Sequence, residues 1–479
     1  MTLSLASRKD FTLENYKRVA WEGQQVAFDQ AALARMAECR QAFERLIEDP
    51  EITIYGVTSG YGQMAKVRLS PEDRKRHANR PPLTAMTSFG EPLPARVVRG
   101  MVFARLTNFI EGHSAITPRV AESVAAMLCG GALPPVPALG NGCPGEILAL
   151  SHLFSPLGAT ETFAEKDMLS LINGSPCATA LVSDATLAAK ARFELAIQVF
   201  ALSSEALKIP LTHFDPDLEG LWADPHETVA LRGLRSAMEG GVSEGRRPYQ
   251  APVSWRILPR VLGQASRAIA QAQEVAEISL ESITDNPVYL PPDAENPNGR
   301  CFSTGGYHNA KAYPALDNLA AAWADLTLLC DRQTTKLLDG DISLLPPQLR
   351  VGDDGYVGTV GFSVLGYAEQ ARQAAQRSFL PGSEGGGFGQ NDVAVPTFLS
   401  WRKEAEAGLC LEAGLACLAA IASQAYYVTE REAPPALKDL LAEVRDYLPP
   451  VTEARGLGPE LERLAGAFAR RVYADCSVD

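Results

Sequence analysis

Histidine is scarce in this chain: six residues in 479, none at a metal-ligand spacing such as His-Glu-x-x-His. Metal chemistry is therefore not expected, because a protein metal site needs several such ligands converging from a fixed spacing. The nine cysteines show no paired spacing, and Cys39, Cys129, Cys330, Cys410 and Cys417 fall in helix-like apolar patterns. They read as reduced thiols packed as small hydrophobes, which points to the cytoplasm. Positive charge is short as well: 44 Lys and Arg against 57 Asp and Glu leave a net charge of -13 and a pI near 5.1. A surface of that sign repels phosphate, so neither nucleic acid nor an anionic membrane is an expected partner. The most apolar stretch, 407–428, is interrupted by Glu412 and rich in Ala and Gly. It reads as a helix buried among helices rather than a membrane span. Residues 1–10 lack the charged, apolar, then small order of a secretory signal. Strand-like alternation is sparse, and no internal repeat or low-complexity segment is visible.

What is present is a chain 46% hydrophobic and 21% charged, ample for a large buried core. Up to about residue 176 it mixes short helical patterns with Gly/Pro loops at 56–62, 90–94, 134–145 and 173–176. Beyond that, long Ala/Leu-rich patterns predict helices over 178–208, 258–283, 311–338, 362–377, 400–428 and 460–473. Several are apolar on more than one face, as in the centre of a bundle. The expected fold is mostly α, with a long-helix bundle core and a loop-rich N-terminal region. The expected division is 1–200, the loop-rich helical part, and 201–479, the bundle with the C-terminal helices.

Six segments stand out, and each taken alone reads first as a turn or a structural contact. Tyr55-Gly56-Val57-Thr58-Ser59-Gly60-Tyr61-Gly62 is a loop with three glycines. In Gly142-Cys143-Pro144-Gly145-Glu146, Pro144 suits a first helical turn and Glu146 the positive end of a helix. Cys143 would sit at that terminus, where a thiol pKa can fall, although a buried inert Cys is the commoner case. Leu171-Ile172-Asn173-Gly174-Ser175 contains a standard turn pair. Gln250-Ala251-Pro252-Val253-Ser254-Trp255-Arg256 places an Arg before a long helix, where its planar fork could hold a carboxylate or make a surface ion pair. Thr284-Asp285-Asn286-Pro287 with Gly306-Tyr307-His308, and Gly389-Gln390-Asn391, complete the set.

The order and spacing of these segments over nearly the whole chain resembles the histidine/phenylalanine ammonia-lyase family, the aromatic amino acid lyase superfamily. The resemblance implies the fumarase/aspartase-like ammonia-lyase fold and a homotetramer with four sites, each assembled from three chains. It implies Tyr55 as catalytic base, Arg256 as carboxylate clamp and Asn173 as a catalytic amide. It also implies Gln250, Tyr307, Gln390 and Asn391 as pocket residues. Tyr61, Trp255 and Tyr307 would offer aromatic faces to a cationic substrate.

The departures from the family pattern matter more. The family's cyclic electrophile, a methylidene-imidazolone, forms from Ala-Ser-Gly, and here the triad reads Cys143-Pro144-Gly145. Pro144 has no hydroxyl to eliminate, so no such cofactor is expected. Val253 replaces a pocket Tyr, and Ala85 and Met86 occupy the stretch where a His is expected. The leading expectation is therefore a lyase-like enzyme that abstracts a proton with Tyr55 and expels a good leaving group from a small carboxylate substrate. Ergothionase-type relatives, which release trimethylamine from a betaine, are a precedent. An isomerase, cyclase or hydratase of an α,β-unsaturated acid or thioester would use the same base and clamp. A silent homologue acting as scaffold or ligand-binding protein is the alternative from another class, and retention of Tyr55 and Arg256 argues against it.

Overall fold

The computed structural model describes residues 2–60, 64–382, 389 and 391–478, and the chain is about 60% helical. The N-terminal part opens with β1 (Leu3–Leu5), paired in parallel with β2 (Val26–Phe28). Helix α1 (Gln30–Ile47) follows, its first turn capped by the Asp29 carboxylate. Helix α2 (Ala95–Ile110) is buried along almost its whole length, including Arg105 and Asn108. Two short helices, α3 (Ile147–Phe154) and α4 (Asp167–Ile172), lead to the first long one, α5 (Pro176–Ala206). Pro176 stands in its first turn, where the missing N–H costs nothing.

Beyond α5 come the single turn α6 (Val253–Arg256) and α7 (Leu258–Glu281). A small antiparallel ribbon pairs β3 (Val288–Leu290) with β4 (Arg300–Phe302). The bundle is completed by α8 (Ala312–Leu338), α9 (Val360–Ala374), α10 (Thr397–Thr429) and α11 (Gly458–Val472). The six long helices expected from the sequence are therefore present, with ends displaced by a few residues, where caps and frayed turns decide.

Helix α10 packs against α5, α8, α9 and α11, and α5 also packs against α2 and α7. Of the described helices, α10 alone is long and apolar enough to cross a membrane by length and composition, and most of that window is buried against its neighbours. Charges inside the bundle are paired. Arg192 on α5 donates to Glu404 at 3.0 Å and Glu412 at 2.8 Å on α10, and the Trp323 indole donates to Glu404 at 2.8 Å.

One expectation is corrected. The division at 200/201 falls inside α5, which runs unbroken across it, and a single apolar core extends from Leu5 to Val472 through both halves. What differs between the halves is how loops are held, not which core they share.

Candidate functional site

The Tyr55 loop is fixed by its own backbone. The amides of Val57, Thr58 and Ser59 all donate to the Ile54 carbonyl, and the Thr58 hydroxyl accepts the Ile54 N–H at 2.7 Å. Gly56 takes the left-handed conformation that the tight turn needs, with φ +69°. Ile54 and Val57 drop into a small apolar cluster with Cys39, Phe43, Leu46, Ile47, Ala115, Leu169 and Tyr289. Burial of those two side chains leaves Tyr55 between them, half-buried and facing a cavity of about 430 Å³.

The same cavity is lined by Pro144, Gly145, Ile147, Asn173, Asn286, Ser303, Thr304, Gly305, Tyr307 and Asn391. Gly145 is at φ +65°, and a Cβ there would come within 2.7 Å of the Asn173 Oδ1 atom. Glycine is therefore required twice, by conformation and by space. Asn173 is buried, and its Oδ1 has no hydrogen-bond partner among the described residues. An unpartnered amide in a cavity wall is a group held ready for a ligand.

Beneath the cavity lies a layer of buried polar contacts. The Arg105 guanidinium donates to the Ser170 carbonyl at 2.6 Å and the Asn173 carbonyl at 2.7 Å. Gly174 passes so close to Arg105 that a Cβ would lie 2.5 Å from its Nη2. The Asn108 Oδ1 accepts the amides of Thr284 and Asp285, and the Ser175 amide donates to the Thr284 hydroxyl. Lys166 and Asp285 form a fully buried ion pair at 2.6 Å, joined by the Ser170 hydroxyl. Breaking such a pair from one side costs about 3–5 kcal/mol, so the contact anchors these loops. Next to Asp285, the Asn286 side chain accepts the Thr304 amide at 2.8 Å, tying the far wall.

Tyr55, Asn173, Tyr307, Asn391 and the Pro144-Gly145 part of the triad line one cavity. Tyr61 and Gln390 lie outside the described residues. Gln250, Trp255 and Arg256 are not among the cavity's lining residues. Gln250 is exposed, and Arg256 is half-buried, donating from Nε to the Ala251 carbonyl at 3.0 Å and making no ion pair among the described residues. Beside it, burial and the Arg256 charge push the His213 imidazole below its usual pKa, and its Nε2 accepts the Ala251 amide. Trp255 corrects its expectation: its side chain is wholly buried in the apolar core and offers no face to a ligand.

For Cys143 the commoner of the two readings, a buried thiol, is the one the structure favours. Burial pushes the thiol up to about 11, outweighing the lowering effect of the Leu148 and Ile147 amides at the start of α3. Glu146 does stand at the N-terminus of α3, as expected, but its side chain serves another helix. Its carboxylate accepts the amides of Cys177 and Ala178 in the first turn of α5, at 2.6 and 2.7 Å. Sequence reasoning missed Asn286, Arg105 and Lys166. Asn286 lay inside a motif already singled out. Arg105, alone in the apolar run Val102-Phe103-Ala104-Arg105-Leu106, carried the signal of a buried charge with a fixed partner.

No Asp, Glu, Lys or Arg lines the cavity among the described residues. The arrangement supplies two phenols, three side-chain amides and two hydroxyls around an uncharged space. It can take a proton and orient a polar ligand.

The family model for aromatic amino acid lyases matches residues 11–164 and 159–446 of the chain. Over 484 aligned residues the chain is 28% identical to the histidine ammonia-lyase of Symbiobacterium thermophilum, covering 95% of this chain and 94% of that one. Among solved structures it resembles the tyrosine aminomutase of Streptomyces globisporus (TM-score 0.86, 23% identity, 99% and 98% coverage). It also resembles the ergothioneine-degrading ergothionase of Treponema denticola, solved with desmethyl-ergothioneine sulfonic acid (TM-score 0.88, 19% identity, 99% coverage of each chain). At those identities the two structures establish the fold.

Proposed function

We propose that this chain, which belongs to the aromatic amino acid lyase family, is a C–N lyase-type enzyme that uses Tyr55 as base on a small carboxylate substrate and works without the methylidene-imidazolone group. The observation that carries this reading is the place of Pro144, which lines the cavity with Tyr55 and Asn173. The electrophile requires the residue there to lose a side-chain hydroxyl and its amide hydrogen, and proline has neither. The residues present therefore do not fit the group, and the chemistry falls to the chain's own side chains.

In the proposed reaction the Tyr55 oxygen, as phenolate, takes a proton from the carbon β to the substrate carboxylate. That electron pair forms the Cα=Cβ bond, the Cα–N bond breaks, and the nitrogen leaves with its pair. A primary ammonium is a poor substrate for such a base, because its N–H proton is far more acidic than the C–H and is lost first. A quaternary ammonium has no N–H and departs as a neutral tertiary amine. The described lining suits it, with phenol faces from Tyr55 and Tyr307 and no carboxylate waiting for an N–H donor. Asn173, Asn286 and Asn391 would hold the substrate's polar atoms. Arg256, with Gln250, would reach the substrate carboxylate from another copy of the chain, in a cytoplasmic homotetramer whose sites are shared between copies.

The name of the Symbiobacterium relative favours a second reading, ordinary histidine ammonia-lyase activity. A panel of L-histidine, L-phenylalanine and L-tyrosine against their N,N,N-trimethyl betaines separates the two. The expected outcome is trimethylamine release from one or more betaines and no ammonia from the parents. Ammonia release from histidine at about 1 per second or more, with inert betaines, would establish the second reading. No turnover, with no ligand moving the melting temperature, would favour a silent homologue.

A further inference from the structure

Two walls of the cavity come from segments that nothing in the backbone joins: the 144–145 turn before α3, and Asn173 before α5. One side chain bridges them. We infer that Glu146 is the positioning residue of this site: its carboxylate ties the Pro144-Gly145 turn to the first turn of α5 and so sets the separation of Gly145 from Asn173. The inference rests on this cavity being the site proposed above.

Three observations carry it. The first is where the cap of α5 comes from. A helix is ordinarily capped by the residue just before it, and Ser175 stands there with a hydroxyl that has no partner among the described residues. The acceptor for the Cys177 and Ala178 amides comes instead from Glu146, across the cavity wall. The second is conformation. Glu146 itself is left-handed, with φ +57°, directly after Gly145 at φ +65°. A non-glycine residue is disfavoured in that conformation, so the surroundings must enforce it. The third is that Gly145 and Asn173 are close enough that a single Cβ would collide, so slackening of the tie would separate two residues that line the same cavity.

The groups facing the Glu146 carboxylate are the Arg105 guanidinium and the Cys177 and Cys143 thiols. Arg105 also donates to the Asn173 carbonyl, so the carboxylate and the guanidinium both bear on the Asn173 wall. Glu146 does not line the cavity among the described residues, and it acts on substrate only through Pro144, Gly145 and Asn173.

The test uses the full-length protein and three forms: wild type, Glu146→Gln, and Glu146→Gln with Ser175→Asp. The second change gives α5 a local cap without tying the walls together. Backbone hydrogen exchange is read by mass spectrometry, and turnover is read on N,N,N-trimethylhistidine. In Glu146→Gln, exchange should rise about tenfold or more in both 143–147 and 173–178 together, while 181–206 stays unchanged. kcat should fall about tenfold or more with KM within threefold, because a misplaced wall loses alignment rather than binding. The added Ser175→Asp should restore protection to 176–178 and leave both 143–147 and kcat impaired. Full recovery in the double variant would make Glu146 a plain helix cap and overturn the inference. So would an effect confined to 176–178, or an unchanged kcat. Exchange requires no substrate, so if trimethylhistidine is inert the exchange result alone decides, separately from the proposed reaction.

Discussion

The cavity around Tyr55 and the segment around Arg256 belong to one chain but are built in opposite ways. The cavity's walls are loops, yet they rest on buried charge and amide contacts, with Arg105, Lys166, Asp285 and Asn108 all withdrawn from solvent. The 250–256 segment leads into a long helix, yet Gln250 is exposed and the Arg256 guanidinium makes, among the described residues, one hydrogen bond, to its own turn. On the proposed reading, this contrast gives one copy of the chain a base-bearing cavity and a carboxylate clamp that would serve the cavity of another copy.

The comparison is broken most strongly at Tyr55. Tyr55→Phe keeps the ring and removes only the hydroxyl, while Ile54 and Val57 still anchor the loop, so its melting temperature should match wild type. Turnover should fall roughly 10²-fold or more, the usual size of a general-base contribution. Wild-type turnover on the betaine that reacts would remove Tyr55 from the mechanism. Next comes the clamp. Arg256→Lys keeps the charge but not the fork, and KM should rise about tenfold, the loss of one charged hydrogen bond. The sharper form mixes two inactive variants. Tyr55→Phe and Arg256→Ala, co-expressed, should regain activity up to about a quarter of wild type if random assembly of a symmetric oligomer pairs Tyr55 of one copy with Arg256 of another. No recovery in mixed oligomers would put both residues in one copy's site.

The smallest expected effect concerns pH. Burial pushes the Glu146 carboxyl up to about 7 in the folded chain, against an unfolded value near the usual 4.5. A raised carboxyl binds its proton more tightly when folded, so its stabilising contribution is complete below about 4.5. It is lost as pH climbs to about 7. Glu146→Gln does not ionise. The melting temperature of the variant relative to wild type should therefore shift in the variant's favour between pH 4.5 and 7 and stay level above that. A difference that is flat across this window would mean that Glu146 is ionised throughout.

Much of this was legible in the sequence. The long helices announced themselves through Ala/Leu runs with few breakers, since a helix buried on several sides has little freedom of composition. Tyr55, Asn173 and Tyr307 were legible because they sit in glycine-rich turns whose order along the chain resembled a family. What escaped was relational. Nothing local tells that Glu146 caps α5 rather than its own helix, because the two meet only after the chain has folded back. Trp255 looked like a ligand face and proved to be core, the commoner fate of a large aromatic side chain. For Cys143 the sequence left two readings, a buried thiol and a helix-terminal one with a lowered pKa, and the degree of burial that decides between them is not written in a linear motif.

The account's central claim is that the Cys143-Pro144-Gly145 turn stays an ordinary peptide while Tyr55 supplies the base. Intact mass spectrometry of the purified, active chain tests it most directly. The account expects the full mass of the sequence, allowing for removal of Met1. A mass short by two water molecules, located to a peptide spanning 143–145, would mean that the prosthetic group forms after all and would contradict the claim.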